Sequence, residues 1–139
     1  MVYSPNEALK HKVVKDASLQ GCLNQALAGM KDGTPAQVTL LACPDAGIKT
    51  LEGIGALTSL EQLELSGNGI SNLAPLLPLK NLRLLSVRNN RINDIGPLES
   101  IATLRFVSLQ GNDDIPCRQL DDLQRKLGNT LNKPDSCKR

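Results

Sequence analysis

Moved along itself by 22 residues, this chain falls into register three times over. VTLLACPDAGIKTLEGIGALTS (38–59), LEQLELSGNGISNLAPLLPLKN (60–81) and LRLLSVRNNRINDIGPLESIAT (82–103) are three full units, and LRFVSLQGNDDI (104–115) begins a fourth. Eight columns recur at offsets of three, two, three, two and then four threes. In the three full units, 22 of those 24 positions are apolar, and the other two are Asn68 and Asn90. At 40% hydrophobic composition chance would supply about ten.

The uneven spacing reports two backbone regimes in each unit. Leu63 and Leu65, two apart, point to one side of a short strand. Ile70, Leu73, Leu76 and Leu79, spaced by three, line one side of a tighter 3₁₀-like or extended return. A strand and its return make one coil of a solenoid. A single coil cannot cover its own apolar face, so coils must stack and share a core. The Asn column answers a separate need. Where the chain leaves the strand and turns inward, backbone groups are buried without ladder partners, and a side-chain amide supplies both donors and an acceptor. Asn68, Asn90 and Asn112 suit that role. Ala46 departs from it, which predicts that the first turn is satisfied by the adjoining cap instead.

Leu60–Ile70 and Leu82–Ile92 match LxxLxLxxNxI, and in this they resemble the leucine-rich repeat family. The 22-residue length and the return INDIGPL (92–98) resemble its bacterial internalin-like subclass. The resemblance covers residues 38–115, and weakly the upstream stretch KDASLQGCLNQALAGMKDGTPAQVTLL, which is similar to the helical cap before such repeats. It implies an α/β fold: a right-handed leucine-rich repeat solenoid with a short parallel β-ladder, a 3₁₀ or extended convex side and helical caps at both ends. Such folds bind many kinds of partner, so the fold alone names no function.

Open solenoids expose their core at the ends, and terminal caps are expected. The chain divides accordingly into an N-terminal tether and helical cap (1–37), about four repeats (38–115) and a C-terminal helical cap (116–139). Leu19, Cys22, Leu23, Ala26, Leu27 and Met30 trace one face of a helix beginning after Asp16 or Ser18. SPNE (4–7) offers an earlier helix start. Leu120, Leu123 and Leu127 make a second stripe, ended by Gly128. The fourth unit carries Asp114 where the Ile column belongs, with Ile115 one place late, so the repeat breaks there.

Four cysteines stand at 22, 43, 117 and 137, without zinc-site spacing. Adjacent strands lie about 4.8 Å apart, so Cys43 on the first coil and Cys117 after the last are roughly 14 Å apart. A disulfide needs Cα atoms within about 7 Å. Geometry therefore favours Cys22–Cys43 and Cys117–Cys137, each joining a cap to the coil it covers. Disulfides imply an oxidising compartment: periplasm, cell surface or secretion. The alternative is four reduced, buried cysteines in a cytoplasmic protein. MVYSPNEALK has no apolar signal-peptide core, which leaves room for a secreted or lipid-anchored precursor already trimmed.

Little in the chain suggests chemistry. His11 is the single histidine, no Ser or Cys has a His/Asp partner in pattern, and no glycine-rich phosphate loop follows a strand. GNDD (111–114) reads as a turn rather than a calcium loop. No enzyme activity, cofactor or metal is expected. A net charge of +2, with Tyr3 and Phe106 the only aromatics, argues against nucleic acid. No stretch approaches the roughly 20 apolar residues of a transmembrane span.

What remains is the outer face of the strand ladder. Alternation aims Leu40, Gln62, Leu84 and Phe106 outward in one column, then Ala42, Glu64, Ser86 and Ser108, then Pro44, Ser66, Arg88 and Gln110, with Thr39, Glu61, Arg83 and Arg105 flanking. An apolar stripe with small neighbours and a charged rim suits a protein-binding face. The expected function is non-enzymatic protein recognition through Leu40, Gln62, Glu64, Leu84, Ser86, Arg88, Phe106 and Ser108. Leu40 and Phe106 could instead be covered by the caps, and Glu61, Arg83 and Arg105 could be a simple cross-strand charge ladder. Two other roles stay open: a structural accessory subunit held in an envelope or secretion assembly through its caps, and a cytosolic regulatory repeat protein.

Overall fold

The computed structural model describes residues 12–137. In chain order these form α1 (Ala17–Ala28), β1 (Leu40–Ala42), β2 (Gln62–Glu64), β3 (Leu84–Ser86), α2 (Gly96–Glu99), β4 (Phe106–Ser108), α3 (Cys117–Leu127) and β5 (Leu131–Asn132). Five 3₁₀ turns intervene, at Pro35–Gln37, Ile54–Ala56, Ala74–Leu76, Gly128–Thr130 and Asp135–Cys137. The helix start expected at SPNE (4–7) lies outside the described residues, as does His11.

The strands make one parallel sheet in the order β1-β2-β3-β4-β5. Leu41 pairs with Leu63, Leu63 with Leu85 and Leu85 with Val107, so the 22-residue period of the sequence is the register of the sheet. All four side chains point inward and are at most 2% exposed. Each coil returns through a short turn that sends one more apolar side chain into the same core: Ile54, Leu76 and Leu98, all 0% exposed. Burying a side chain of this kind contributes about 1.5–3 kcal/mol, and the contribution is available only because the neighbouring coil supplies the cover. The molecule is an α/β leucine-rich repeat solenoid.

Two columns hold the turns after the strands. Asn90 Nδ2 donates to Leu65 O at 2.9 Å and Val87 O at 3.0 Å, while its Oδ1 accepts from Ile70 N at 3.0 Å. Asn112 repeats this one coil on, with Val87 O, Leu109 O and Ile92 N. Asn68 serves the first coil, accepting from Ala46 N and Ile48 N and donating to Cys43 O and Leu65 O. Each amide thus binds its own coil to the one before. The second column is 45, 67, 89 and 111, where every residue has positive φ: Asp45 at 50°, Gly67 at 75°, Asn89 at 54° and Gly111 at 83°. Gly and, less readily, Asn and Asp tolerate that left-handed backbone, which explains the residue choice.

The caps repeat the logic with different residues. Asp16 Oδ1 caps α1 by accepting from Ser18 N and Leu19 N, and its Oδ2 accepts from Lys49 N and Thr50 N of the first coil. One carboxylate therefore satisfies the helix end and the N–H groups of Lys49 and Thr50, whereas the turn at Ala46 is held by Asn68 of the next coil rather than by the cap as expected. At the other end Gln119 on α3 accepts from Ile95 N and donates to Asp94 Oδ1. Lys126 donates to the carbonyls of Leu98, Glu99 and Ile101. Disulfides join Cys22 to Cys43, with Cα atoms 6.0 Å apart, and Cys117 to Cys137, 5.6 Å apart.

The C-terminal cap is not purely helical, in contrast to the sequence expectation. After α3 the chain returns to the ladder and adds β5, pairing Leu131 with Val107 and Asn132 with Ser108. Leu131 arrives two residues late for the 22-residue period, because α3 replaces the usual return, so no column announces it.

Candidate functional site

The in-phase ladder sets Leu40, Gln62, Leu84 and Phe106 side by side on its outer face. Leu40 and Phe106 are each 54% exposed, so the described caps leave both open to solvent. Gln62 is exposed and Leu84 half-buried. Phe106 and Leu84 stand on adjacent strands and wall a groove of about 320 Å³. Its floor is Ser86 and Ser108, and its far wall is Asn129, Thr130 and Asn132 of the C-terminal cap. The small serine column makes the depression, and the returning chain closes its end.

Not every expected contact residue offers surface. Ser86 is only 7% exposed, and its hydroxyl meets that of Ser66 at 3.2 Å. It lines the groove one step along the ladder from the larger Leu84–Phe106 pair, so its predicted role as an exposed contact gives way to that of a floor. Ser108 Oγ is buried and has no hydrogen-bond partner among the described residues. Glu64 is half-buried, with Oε1 accepting from Ser66 N at 2.7 Å. Arg88 is exposed and hydrogen-bonds Gln110. Asn129, Thr130 and Asn132 were not expected at the site, since they reach it only through β5.

A second groove, of about 580 Å³, runs along the strand starts and is lined by Thr39, Ser59, Glu61, Asn81, Arg83, Thr103 and Arg105. Thr103 Oγ1 donates to Leu82 O at 2.7 Å and Asn81 Nδ2 to Thr58 O at 3.1 Å, so both help hold coil to coil. The alternative of a cross-strand charge ladder is not closed by an ion pair: among the described residues none joins Glu61 to Arg83. The two carboxyls with lowered pKa, Asp16 and Asp94, belong to the cap junctions. Burial alone would raise Asp16, but four backbone N–H bonds outweigh it. Asp94 is lowered by the Gly96 N–H first and Gln119 second. Among the described residues no cluster of His, Cys, Asp and Glu could hold a metal ion, and no helix is long and apolar enough to cross a membrane.

No protein-family model and no curated protein matches this sequence. Solved structures do. An internalin (inlF) from Listeria monocytogenes superposes with a TM-score of 0.76 at 27% identity, over 89% of this chain and 38% of the internalin. Internalin C2 from the same species gives 0.74 at 22% identity, over 88% of this chain and 57% of that one, a likeness of fold. This chain therefore spans well under two thirds of either structure. Repeat length, parallel in-phase ladder, capped ends and these superpositions agree: the chain has a leucine-rich repeat fold similar to that of internalins.

Proposed function

We infer that this is a non-enzymatic recognition module that binds a protein partner through the outer face of its strand ladder. The observation that carries the reading is Phe106. It is a large apolar side chain left 54% exposed beside a ready-made groove, on a face no described cap covers. A backbone fixed by inter-coil hydrogen bonds loses little conformational freedom on docking, so rigidity favours affinity. Phe106 and Leu84 act as anchors, Leu40 and Gln62 extend the contact, and Arg88 and Glu64 orient the partner. Two disulfides within one short chain support an exported protein of the periplasm, cell surface or medium.

Immobilised wild-type protein, with a Phe106→Ala/Leu84→Ala double variant as control, is used to capture partners from the native envelope fraction. The affinity of the captured protein is then measured against the single Phe106→Ala variant. The expected loss is about 1 kcal/mol or more with an unchanged melting temperature. Retained affinity excludes the ladder face, and a parallel fall in melting temperature assigns Phe106 to the fold.

A further inference from the structure

Arg83 and Arg105 immediately precede the adjacent strands β3 and β4, held there by Arg105 N and Phe106 N donating to Arg83 O at 2.8 and 3.0 Å. Their backbones thus lie one ladder step apart, about 4.8 Å. Both side chains are exposed and line the larger groove. Neither guanidinium donates a hydrogen bond or meets a carboxylate within 4.0 Å among the described residues. On the far rim Arg88, by contrast, is tied to Gln110. Like charges directly opposite in a sheet are destabilising, and two planar forks in parallel match the oxygens of one carboxylate. Leu84 and Phe106 are the next residues along the same strands.

We propose that Arg83 and Arg105 form a clamp for a carboxylate of the protein partner, one residue away from the Leu84–Phe106 anchor. This rests on the ladder-face reading and adds to it the chemistry of the partner: an acidic side chain adjoining an apolar one. Glu61 continues the same column one strand earlier and is left unpaired with Arg83, so it faces a cation on the partner. Glu61 and Glu64 also decide against an extended polyanion. A sulfated glycan or nucleic acid laid along the ladder meets two carboxylates on β2 and its flank, and the net charge of +2 offers no compensating field.

The test uses the full oxidised chain and a displayed library of random linear peptides, with selected peptides synthesised and their affinities measured by calorimetry. Wild-type protein is expected to enrich Asp or Glu beside an aromatic or aliphatic residue. Arg83→Ala/Arg105→Ala weakens those peptides about tenfold or more, and Arg83→Glu/Arg105→Glu selects Lys or Arg in their place. Melting temperatures of both double variants match wild type, since neither side chain is part of the framework. Absence of acidic enrichment, or equal affinity for wild type and the alanine pair, overturns the clamp. So does tighter binding of a heparin oligosaccharide than of any selected peptide, lost in the alanine pair, which makes the site one for polyanions. Phe106→Ala separates the two readings. Peptides sensitive to Phe106 but not to the arginines leave the ladder face standing without the clamp. Peptides sensitive to the arginines alone do the reverse.

Discussion

Replacing Asn90 with alanine removes four hydrogen-bond contacts, and the structure shows which of them matter. The Ile70 N–H is buried and Asn90 Oδ1 is its acceptor at 3.0 Å, so truncation leaves a buried donor bare, costing about 1–3 kcal/mol. The carbonyls of Leu65 and Val87 fare better. Leu65 O keeps its bond from Asn68 at 2.8 Å, and Val87 O keeps its bond from Asn112 at 2.8 Å. Each lost bond there costs about 0.5 kcal/mol, the low end of the usual range. Arg88 O is only part-buried and keeps its bond from Gly67 N at 2.9 Å, so it contributes less. The expected loss is about 2–4 kcal/mol, a large share of the roughly 5–15 kcal/mol that holds an ordinary domain. Asn68→Ala strips two N–H groups, of Ala46 and Ile48, but at a half-buried site that water can reach, so it costs less than Asn90→Ala. Asn90→Asp is worse than alanine, because it points a carboxylate oxygen at the three carbonyls of Leu65, Val87 and Arg88. Urea unfolding of the oxidised variants, compared at equal m-values, measures all three. A cost for Asn90→Ala below about 0.5 kcal/mol, or a larger cost for Asn68→Ala, refutes the shared-acceptor reasoning.

Gly53 has φ of 96°, and a Cβ there would lie 2.6 Å from Val13 O and 2.9 Å from Val14 Cα. Gly53→Ala should therefore displace the segment before α1 and destabilise by about 2 kcal/mol or more, seen as faster amide exchange at Lys15, whose N–H is bonded to Glu52 O. Each disulfide closes a loop of sequence separation 21 or 20, so reduction should remove about 3 kcal/mol per bond. Paired melts with and without reductant test this, and thiol titration of the denatured, unreduced protein should find no free thiol. The Asp16 carboxyl is depressed in the fold below its ordinary 3.8. Its contribution is present above that pH and is lost as pH falls through the lower folded value. Asp16→Ala should lower stability at neutral pH by about 0.5–2 kcal/mol and flatten the acid limb below about pH 4. An unchanged acid limb in urea midpoints from pH 2 to 6 contradicts the assignment.

Much of the architecture was legible one residue at a time. Columns such as Leu41, Leu63, Leu85 and Val107 are inward because burial follows side-chain type and strand period, both local properties. The amides of Asn68, Asn90 and Asn112 were readable because buried turns need donors and acceptors wherever they occur. The left-handed column of Asp45, Gly67, Asn89 and Gly111 also recurs at 22-residue spacing, but it goes unread because it is polar and small and stands outside an apolar count.

Other features have no local signature, because they depend on where distant pieces of chain return. β5 rejoins the ladder out of period, carrying Asn129, Thr130 and Asn132 to the end of the groove. Ser86 sinks beneath its neighbours while Phe106, on the next strand, stays open. Asp16 reads as a helix cap, yet its second oxygen holds a turn more than 30 residues away. Arg83 and Arg105 are flanking residues in the repeat, and it is the absence of a nearby carboxylate among the described residues that motivates the proposed clamp. Periodicity dictates which face of each coil is dry, since hydrocarbon must be covered by the next coil. Which surface positions are covered or paired is a property of the ends and their contacts, and those emerge only when the solenoid has closed on its caps.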